Sequence, residues 1–492
     1  MKTKLLTFFS ALFSIVIFAQ DGIPEDYLSS EFHKDRREAL RQSMPENSVA
    51  VFFANAVRNR ANDVDYVYHQ DPDFYYLTGY KEPHSVLVIF SEDQINDKGE
   101  AYNELIYVQE RDALREQWDG IRLGTEGVKE KLGFEVAFNG IDFKNSGIDF
   151  TKFDAVLFDE FKNDYRDSET NQADLFDLIQ SFKSQIEHTE TVIVDTDANP
   201  DINKETNVEE RKVTVDNTTL TRLMAALRQI KTPEEMVLLT KAVRISAMGQ
   251  REIMKAMHVG MSEAEIQGIH EYIYKKYGSE YEGYPSIVGA GNNGCVLHYI
   301  ENTKMKVDND LVLMDLGAEY HGYTADVTRT IPANGKFSPE QKIIYDLVYE
   351  AQEAGIAASV IGNNLDSPDE AGRKIINKGL VDLGIAKDED DARKYFPHGT
   401  SHHIGLDVHD ASLRGDFEAN MVITVEPGIY IPKGSDCDEK WWGIAVRIED
   451  DILITENGPI NLSAEAPRKS EEIEALMKET SVLDGFKLPD LD

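Results

Sequence analysis

Residues 311–330, LVLMDLGAEYHGYTADVTRT, place two aspartates in a stretch that otherwise has the character of buried strands. Asp315 interrupts an apolar run, and a buried carboxylate without a partner is costly because it leaves water for a medium of low dielectric constant. It therefore needs a positive partner, such as a metal ion, or takes up a proton. Asp326 follows the turn-like HGY of residues 321–323, so a hairpin could bring both carboxylates together. Taken alone, the two aspartates fit a structural or capping role equally well.

Three later segments contain further candidate ligands. HGTSHHIGLDVHD (398–410) carries four histidines, and two apolar runs each contain one glutamate, Glu426 in ITVEPGIYI and Glu449 in WGIAVRIEDD. We expect both glutamates to lie inside strands. One imidazole nitrogen with several carboxylate oxygens suits Mn, Co or Zn, and no thiolate is needed. The sequence therefore predicts a metal site rich in carboxylates.

The four histidines of residues 398–410 cannot all be ligands of a site that already contains several carboxylates. The simplest assignment is one ligand, with two or three histidines as hydrogen-bond donors around the ligand set. In the last segment, Arg447 and Glu449 are two residues apart, so in a continuous strand both side chains point to one face of the sheet. An arginine there would orient the carboxylate and balance its charge. A plain structural ion pair is the alternative.

GAGNNG (289–294) matches the G-x-G-x-x-G pattern of dinucleotide-binding proteins. That pattern needs a helix N-terminus directly after it to hold the pyrophosphate, whereas CVLHYIEN, which follows here, is typical of a strand. We therefore expect the glycines to shape a loop that presents His298. On its own, such a histidine is more often structural than catalytic.

Composition limits the class of protein and its partners. A chain of 492 residues exceeds the usual size of one core, so two domains are expected. The formal net charge of −38 argues against binding to nucleic acid and to anionic membrane surfaces. The two cysteines, Cys295 and Cys437, exclude a disulfide framework, and the sequence does not decide whether they pair.

Residues 1–19 look like a secretory signal, because Lys2 and Lys4 precede an apolar run that ends at Ala19. The run is short for a membrane span. We expect an exported protein, periplasmic or secreted, with no membrane insertion after signal removal. Since Ile17 is not the small residue that a cleavage site prefers at its position, an uncleaved anchor is the alternative.

Residues 20–210 alternate short apolar runs with charged helical segments, which predicts an α/β domain. The aromatic residues of DPDFYYLTGY (71–80) are expected in its core and turns. We place a second domain at residues 211–475 and a tail at 476–492. Helix starts with the capping-box pattern recur in the second domain at Thr232, Ser262, Ser338 and Ser367. Their repeated spacing predicts two half-domains, each a helix pair with antiparallel sheet, and the candidate ligands between them.

Several motifs together resemble one known family. NGCVLHYIEN, MDLGAEYHGYTADVTRTIPANGKFSPEQ, HGTSHHIGLDVHD, TVEPGIYIP and VRIEDD occur in the order found in the pita-bread metallopeptidases. In the first domain, DPDFYYLTGYKEPHSVLVI and ERDALREQWDGIRLG are similar to the Xaa-Pro aminopeptidase (aminopeptidase P) family. The likeness runs from about residue 25 to about residue 470. It implies an α/β amino-terminal domain and an α+β pita-bread catalytic domain with pseudo-twofold half-domains and antiparallel sheet.

The resemblance also implies roles for the candidate residues. It implies a centre of two divalent metal ions, usually manganese, with five ligands: Asp315, Asp326, His402, Glu426 and Glu449. Glu426 would also accept a proton, and the other catalytic or substrate-side groups would be His298, His398, His409, Tyr430 and Arg447. One departure is His403, where members of the family often carry a bulky aromatic side chain.

The implied function is release of the N-terminal residue from peptides with proline in second position, by hydroxide that bridges the two metal ions. An amide before proline lacks an N–H and so escapes sites that hold the backbone by a strand ladder. Prolidase, which cleaves only Xaa-Pro dipeptides, uses the same ligands and is the alternative. A pita-bread binding module without catalysis is a third possibility. Proline-containing peptides are the expected partners, and the family often forms homo-oligomers.

Overall fold

The computed structural model describes residues 26–162, 171–187, 189–194 and 207–486. The expected signal segment, 1–19, and residues 487–492 of the expected tail lie outside the described residues. Within the described part, no helix combines the length and the apolar character needed to cross a membrane.

The amino-terminal part is built around one mixed sheet. The strands of this part of the chain are β1 (Ser48–Phe53), β2 (Asn59–Ala61), β3 (Val64–Asp65), β4 (Val86–Ile95), β5 (Ala101–Val108), β6 (Ala137–Asn139), β7 (Ala155–Leu157), β8 (Thr189–Val194), β9 (Asn207–Lys212) and β10 (Val215–Asp216). Its helices are α1 (Ser30–Ser43), α2 (Pro72–Thr78), α3 (Glu116–Asp119), α4 (Gly124–Leu132) and α5 (Leu175–Ile186). The main sheet has the order β10–β7–β1–β4–β5–β6, and β2–β3 and β8–β9 form separate hairpins. Because β10 belongs to the main sheet, this sheet extends a few residues past 210.

The central strands of this sheet are apolar on both faces because both faces are covered. Along β1, Val49 and Val51 join a core cluster with α5, while Ala50 and Phe52 join another with α1, α2 and α4. Strand β1 runs antiparallel to β4 and parallel to β7. This arrangement confirms the predicted α/β layering.

The DPDFYYLTGY stretch forms helix α2 and both of its ends. The Asp71 side chain accepts a hydrogen bond from the Phe74 N–H, Pro72 occupies the first turn, and Gly79 ends the helix with φ of 68°. The aromatic residues between these ends are buried. They are core residues, as the sequence predicts.

The second part contains the longer helices. They are α6 (Thr219–Arg228), α7 (Pro233–Ala256), α8 (Glu263–Lys276), α9 (Pro339–Ala358), α10 (Asp366–Asp382), α11 (Glu389–Ala392) and α12 (Ser470–Leu476). Its strands are β11 (Tyr281–Glu282), β12 (Ile287–Ala290), β13 (Leu311–Asp315), β14 (Ala318–Tyr320), β15 (Tyr323–Thr324), β16 (Thr328–Pro332), β17 (Val422–Val425), β18 (Gly428–Ile431), β19 (Ile444–Arg447), β20 (Asp450–Leu453) and β21 (Ile460–Asn461).

The second part has the expected two-half plan. Helices α7 and α8 pack together and precede the sheets β12–β13–β16 and β11–β14–β15. Helices α9 and α10 pack together and precede β17–β20–β21 and β18–β19. Every strand pair in these four sheets is antiparallel. The candidate ligands lie where these short sheets meet.

Three of the four expected helix caps are present. Thr232 and Ser338 form complete capping boxes, and Ser262 accepts a hydrogen bond from the N–H three residues on. The prediction at Ser367 is wrong, because α10 begins at Asp366. Asn364 Oδ1 accepts the Asp366 N–H, so the chain turns into the helix before it reaches the serine.

The two parts share a core. Tyr76 of α2 belongs to the same apolar cluster as Leu238 and Leu239 of α7 and Tyr323 of β15. The Tyr75 hydroxyl also donates to the carbonyl of His321, in the turn between β14 and β15. The amino-terminal part therefore packs directly against the hairpin that leads to Asp326.

Both cysteines are free thiols in the structure. Cys295 closes a short 3-10 helix, Gly291–Cys295, which follows β12. Burial raises the pKa of its thiol to about 11, so the thiol is neutral near pH 7.

Candidate metal centre

The candidate carboxylates lie at the ends of strands and in the breaks between them. Asp315 is the last residue of β13, and Asp326 lies between β15 and β16. Glu426 lies between β17 and β18, and Glu449 between β19 and β20. The expectation that both glutamates lie inside strands is therefore wrong. Residue Pro427, which cannot donate to a ladder, follows Glu426, and the chain passes there from the β17–β20 pairing to the β18–β19 pairing.

The hairpin predicted between the two aspartates brings their side chains together. Tyr284 Oη lies 2.5 Å from Asp315 Oδ1 and 2.6 Å from Asp326 Oδ1, so its proton is shared between the two carboxylates. His321, with φ of 51°, and Gly322 make the turn. Both aspartates are buried, at 8% and 5% exposed.

Arg447 contacts a different carboxylate from the one expected. Its Nη2 donates to Asp315 Oδ2 at 2.5 Å, and its Nε donates to Thr328 Oγ1 at 3.3 Å. Glu449 instead accepts a hydrogen bond from the Thr328 hydroxyl at 2.6 Å. The alternation of side chains fails because β19 ends at Arg447, before Glu449.

His402 faces the carboxylates with one ring nitrogen. Its Nε2 lies 3.5 Å from Asp326 Oδ2 and 3.5 Å from Glu426 Oε1. Its Nδ1 donates to the carbonyl of His403 at 3.1 Å, so Nε2 faces the site and can direct a lone pair at a cation once it is deprotonated. Possible ligand atoms of Asp326, His402 and Glu449 all lie within 4.8 Å of one another.

The charges of the site are unbalanced. Burial raises the pKa of Glu426 to about 7 and that of Glu449 well above its usual value. Burial alone would lower the pKa of His402, but Asp326 and Glu426 outweigh it and raise this pKa to about 9. A set of carboxylate oxygens with one imidazole nitrogen and excess negative charge fits divalent cations.

Two of the expected histidines lie at the open side of this cluster. The ring of His409 lies 4.2 Å from the ring of His402, and the side chain of His409 is exposed. His298 is also exposed, in an irregular segment after the Gly291–Cys295 turn. The strand expected at residues 295–302 is absent from this described segment, so that prediction is wrong, although the loop that presents His298 is present.

His398, Tyr430 and Arg447 form a hydrogen-bonded chain. Arg447 Nη1 donates to Tyr430 Oη at 3.0 Å, and Tyr430 Oη lies 2.8 Å from His398 Nε2. His398 Nδ1 donates to the Gly399 carbonyl at 2.7 Å, so Nε2 accepts the tyrosine proton. Tyr430 is buried, and this chain makes one wall of the site.

His403, the departure from the family pattern, points away from the carboxylates. It is 4% exposed and forms an isolated bridge with Ile423. Burial, with Lys231 nearby, lowers the pKa of His403 to about 4, so its ring is neutral near pH 7.

Sequence reasoning missed three residues of the site. They are Tyr284 and Thr328, described above, and Asp451, whose Oδ2 accepts the Asp326 N–H at 3.1 Å. Asp451 is fully buried, and burial raises its pKa well above its usual value. A signal existed for Asp451, because it lies in an apolar run two residues after the candidate ligand Glu449. No comparable pattern marks Tyr284.

Comparison with known proteins agrees with this geometry. The family model described as Metallopeptidase family M24 matches residues 237–456, and the model described as Aminopeptidase P, N-terminal domain, matches residues 33–147. The chain is 36% identical over 464 residues to Xaa-Pro aminopeptidase of Escherichia coli, covering 92% of this chain and 98% of that protein. It is 32% identical to Xaa-Pro aminopeptidase 3 of Homo sapiens, covering 91% of this chain and 84% of that protein.

Solved structures show the same relationship. The structure of aminopeptidase P from E. coli with the inhibitor Pro-Leu superposes with a TM-score of 0.78 at 34% identity, covering 92% of this chain and 98% of that one. Zn-substituted E. coli aminopeptidase P in complex with product gives the same values. The chain therefore belongs to the Xaa-Pro aminopeptidase family, with an aminopeptidase P amino-terminal domain and a catalytic domain of metallopeptidase family M24.

Proposed function

We propose that this chain is a metal-dependent aminopeptidase that releases the N-terminal residue from peptides with proline in second position. The observation that carries the proposal is the convergence of Asp326, His402 and Glu449 on one point, in a chain that belongs to the Xaa-Pro aminopeptidase family. The names of the relatives supply the substrate class.

Two divalent metal ions, Mn²⁺ in our proposal, would be held by the five predicted ligands: Asp315, Asp326, His402, Glu426 and Glu449. The oxygen-rich donor set with one imidazole supports this choice. When bound, such ions polarise the substrate carbonyl and make water acidic enough to attack it near neutral pH.

Glu426 is the proton carrier in this proposal. It is half-buried, its Oε1 lies 3.5 Å from His402 Nε2, and a carboxylate at such a position can accept and return a proton. Glu426 accepts the proton of the attacking water and returns it to the proline nitrogen as the peptide bond breaks. A secondary amine is a poor leaving group without that proton.

His298 and His409 stabilise the developing negative charge on the substrate oxygen. Both side chains are exposed and lie outside the set of ligand atoms that converge. A hydrogen bond that strengthens as the tetrahedral intermediate forms lowers the barrier. His398 and Tyr430, fixed by Arg447, provide a rigid wall next to the substrate.

We further propose that the chain is exported and forms homo-oligomers. Export is supported by the apolar run after Lys2 and Lys4. Self-association is supported by apolar side chains exposed on the amino-terminal part, with Leu114 at 75%, Trp118 at 87% and Ile121 at 82%.

Mass spectrometry on Ala-Pro, Ala-Pro-Ala, Ala-Pro-Ala-Ala and Ala-Ala-Ala tests the function. We expect the protein loaded with Mn²⁺ to release alanine from the proline peptides of three and four residues and to leave Ala-Ala-Ala intact. Cleavage of Ala-Pro alone would identify a prolidase. No cleavage of any peptide, with metal bound, would identify a binding module.

A further inference from the structure

Asp410, the residue after His409, is buried between two cations. Lys231 Nζ donates to Asp410 Oδ2 at 2.7 Å, and Arg228 Nη2 donates to Asp410 Oδ1. Lys231 and Asp410 have side chains 1% exposed, and that of Arg228 is 6% exposed. We name these three residues the loop anchor. Because all three charges are shielded from water, loss of one partner would leave a buried charge uncompensated, which is costly.

The backbone of Asp410 closes the loop that carries the site histidines. Its N–H donates to the carbonyl of His403 at 3.0 Å, and the same carbonyl accepts the Nδ1 proton of His402 at 3.1 Å. The loop thus begins beside His402 and ends at His409, whose rings lie 4.2 Å apart. A shift of Asp410 would therefore move the His403 carbonyl, which orients His402. It would also move His409, the residue that precedes Asp410.

Gly405 shows how tightly the loop is packed on the anchor. A Cβ at this position would overlap Asp410 Oδ2 and lie 2.8 Å from Lys231 Nζ, so a larger residue would displace the ion pair. The Gly405 carbonyl accepts the N–H of Thr324 at 2.8 Å, and Thr324 lies two residues before Asp326. The loop is therefore fixed to the aspartate hairpin as well.

The loop anchor extends to the amino-terminal part. Arg228 Nη1 donates to Asp73 Oδ1 of α2 at 2.7 Å, and Lys231 Nζ donates to the carbonyl of Arg228 at 2.6 Å. Asp73 and Asp410 thus both pair with Arg228, and Asp410 also pairs with Lys231. Helix α2 contacts the site loop through this chain of ion pairs.

We propose that Asp410 is a positioning residue for His402 and His409, and that Asp73 and Arg228 couple this function to the amino-terminal domain. The proposal rests on the proposed peptidase function, since it assigns a role in that reaction. The physical reason is that a displacement of about 1 Å in a catalytic group costs about 100-fold in rate. Burial, two ion pairs and one backbone hydrogen bond hold Asp410 in place.

The test is Asp410→Asn in the full chain, assayed on Ala-Pro-Ala at saturating Mn²⁺ and well below the melting temperature. We expect kcat to fall by roughly 10- to 100-fold with a smaller change in KM, and Mn²⁺ affinity to fall because His402 is less well oriented. Asp73→Asn breaks only the ion pair between Asp73 and Arg228, so we expect a smaller loss of kcat.

Glu104→Gln is the matched control. It breaks the ion pairs of Glu104 with Arg37 and Arg41, at 2.9 Å and 3.0 Å, in the amino-terminal domain, where the Glu104 side chain is 15% exposed. We expect this variant to melt at lower temperature with unchanged kcat. If Asp410→Asn behaves in the same way, with kcat and Mn²⁺ affinity unchanged, the role is structural and the proposal is overturned.

Two further outcomes are decisive. If Asp410→Asn does not fold, Arg228→Lys and Asp73→Asn decide, because a positioning role lowers kcat in both and a structural role lowers only the melting temperature. If the wild type cleaves none of the peptides, the proposed function fails. Mn²⁺ affinity, measured by calorimetry on the wild type and Asp410→Asn, still reports whether Asp410 orients His402.

Discussion

The chain buries two clusters of carboxylates that differ in how their charge is balanced. In the loop anchor, Lys231 and Arg228 hold the pKa of Asp410 below its usual value, although burial acts in the opposite direction. In the site, burial raises the pKa of Glu426 and of Glu449. Within the described residues, ion pairs connect three of the four site carboxylates, those of Asp315, Asp326 and Glu426, to one arginine and two histidines.

The same contrast exists between two neighbours in the sequence. Asp450 is fully buried and paired, with Arg329 Nη2 at 2.7 Å and Arg468 Nε at 3.3 Å. Glu449, one residue earlier, has a hydroxyl donor, Thr328, and acidic neighbours that raise its pKa. Burial and acidity alone therefore do not identify a metal ligand. The two residues differ in that Asp450 contacts two arginines, whereas no ion pair joins Glu449 to a cation within the described residues.

Loss of a site carboxylate should have the largest effect on activity. Glu426→Gln removes a ligand and the proposed proton carrier, so we expect kcat/KM on Ala-Pro-Ala to fall by roughly 10⁴-fold or more. Glu418→Gln, at an exposed position in the same half-domain, is the control and should be fully active. Activity of Glu426→Gln within tenfold of the wild type would contradict the assignment.

The histidines at the open side of the site should affect the reaction and leave metal binding intact. We expect His298→Ala and His409→Ala to lower kcat/KM by roughly 10²- to 10⁴-fold while metal content stays near that of the wild type. His258→Ala, an exposed histidine elsewhere, is the control. If either variant loses stoichiometric metal in elemental analysis, that histidine is a ligand and the assignment of His402 is wrong.

Metal affinity should rise with pH. In the metal-free protein the pKa of Glu426 is raised to about 7 and that of His402 to about 9, and both groups must be deprotonated to act as ligands. Between about pH 6 and pH 9, Mn²⁺ affinity should therefore rise by up to about tenfold per pH unit for each proton displaced. Calorimetry in buffers of different ionisation enthalpy measures the released protons, and an affinity independent of pH would refute this account.

The smallest expected effect is on the melting temperature of the metal-free protein, and it has opposite signs in the two clusters. The pKa of Glu449 is raised in the folded chain, so at pH 7 this residue opposes folding of the metal-free protein, and the penalty disappears below about pH 4. Glu449→Gln should raise the melting temperature of the metal-free protein at pH 7 by about 1–3 °C.

Asp410→Asn, in the loop anchor, should lower the melting temperature because it removes the carboxylate that pairs with buried Lys231 and leaves Arg228 paired only with Asp73. Scanning calorimetry after chelation measures both variants. Destabilisation by both substitutions would show that the site carboxylates are balanced without metal.

The sequence predicts which residues form the site better than it predicts the backbone structure around them. Asp315, Glu426 and Glu449 were identifiable because a charge in an apolar run needs compensation, and Asp326 because a hairpin could bring it to Asp315. The structure places the four carboxylates together. The breaks in the strands at Glu426 and Glu449 were not identifiable, because an apolar run has the same pattern whether it stays in one sheet or crosses between two.

Sequence patterns also did not predict which residues from distant segments contact the site carboxylates. Tyr284 contacts both aspartates from a turn between β11 and β12, and nothing in its own neighbourhood marks it. Arg447 was placed beside Glu449 by spacing, whereas tertiary packing directs it to Asp315. Helix caps are local, so most were predictable, and the prediction at Ser367 failed because the chain already turns into the helix at Asp366, whose N–H is accepted by Asn364 Oδ1.

The most direct test of the central claim combines metal content with activity during reconstitution. The protein is chelated until elemental analysis shows no metal, then titrated with Mn²⁺ while bound metal and release of alanine from Ala-Pro-Ala are measured together. We expect no turnover without metal and full activity once about two Mn²⁺ ions are bound per chain. Full activity in the metal-free protein, or saturation with no Mn²⁺ bound, would contradict the conclusion that the unbalanced carboxylates form a metal centre.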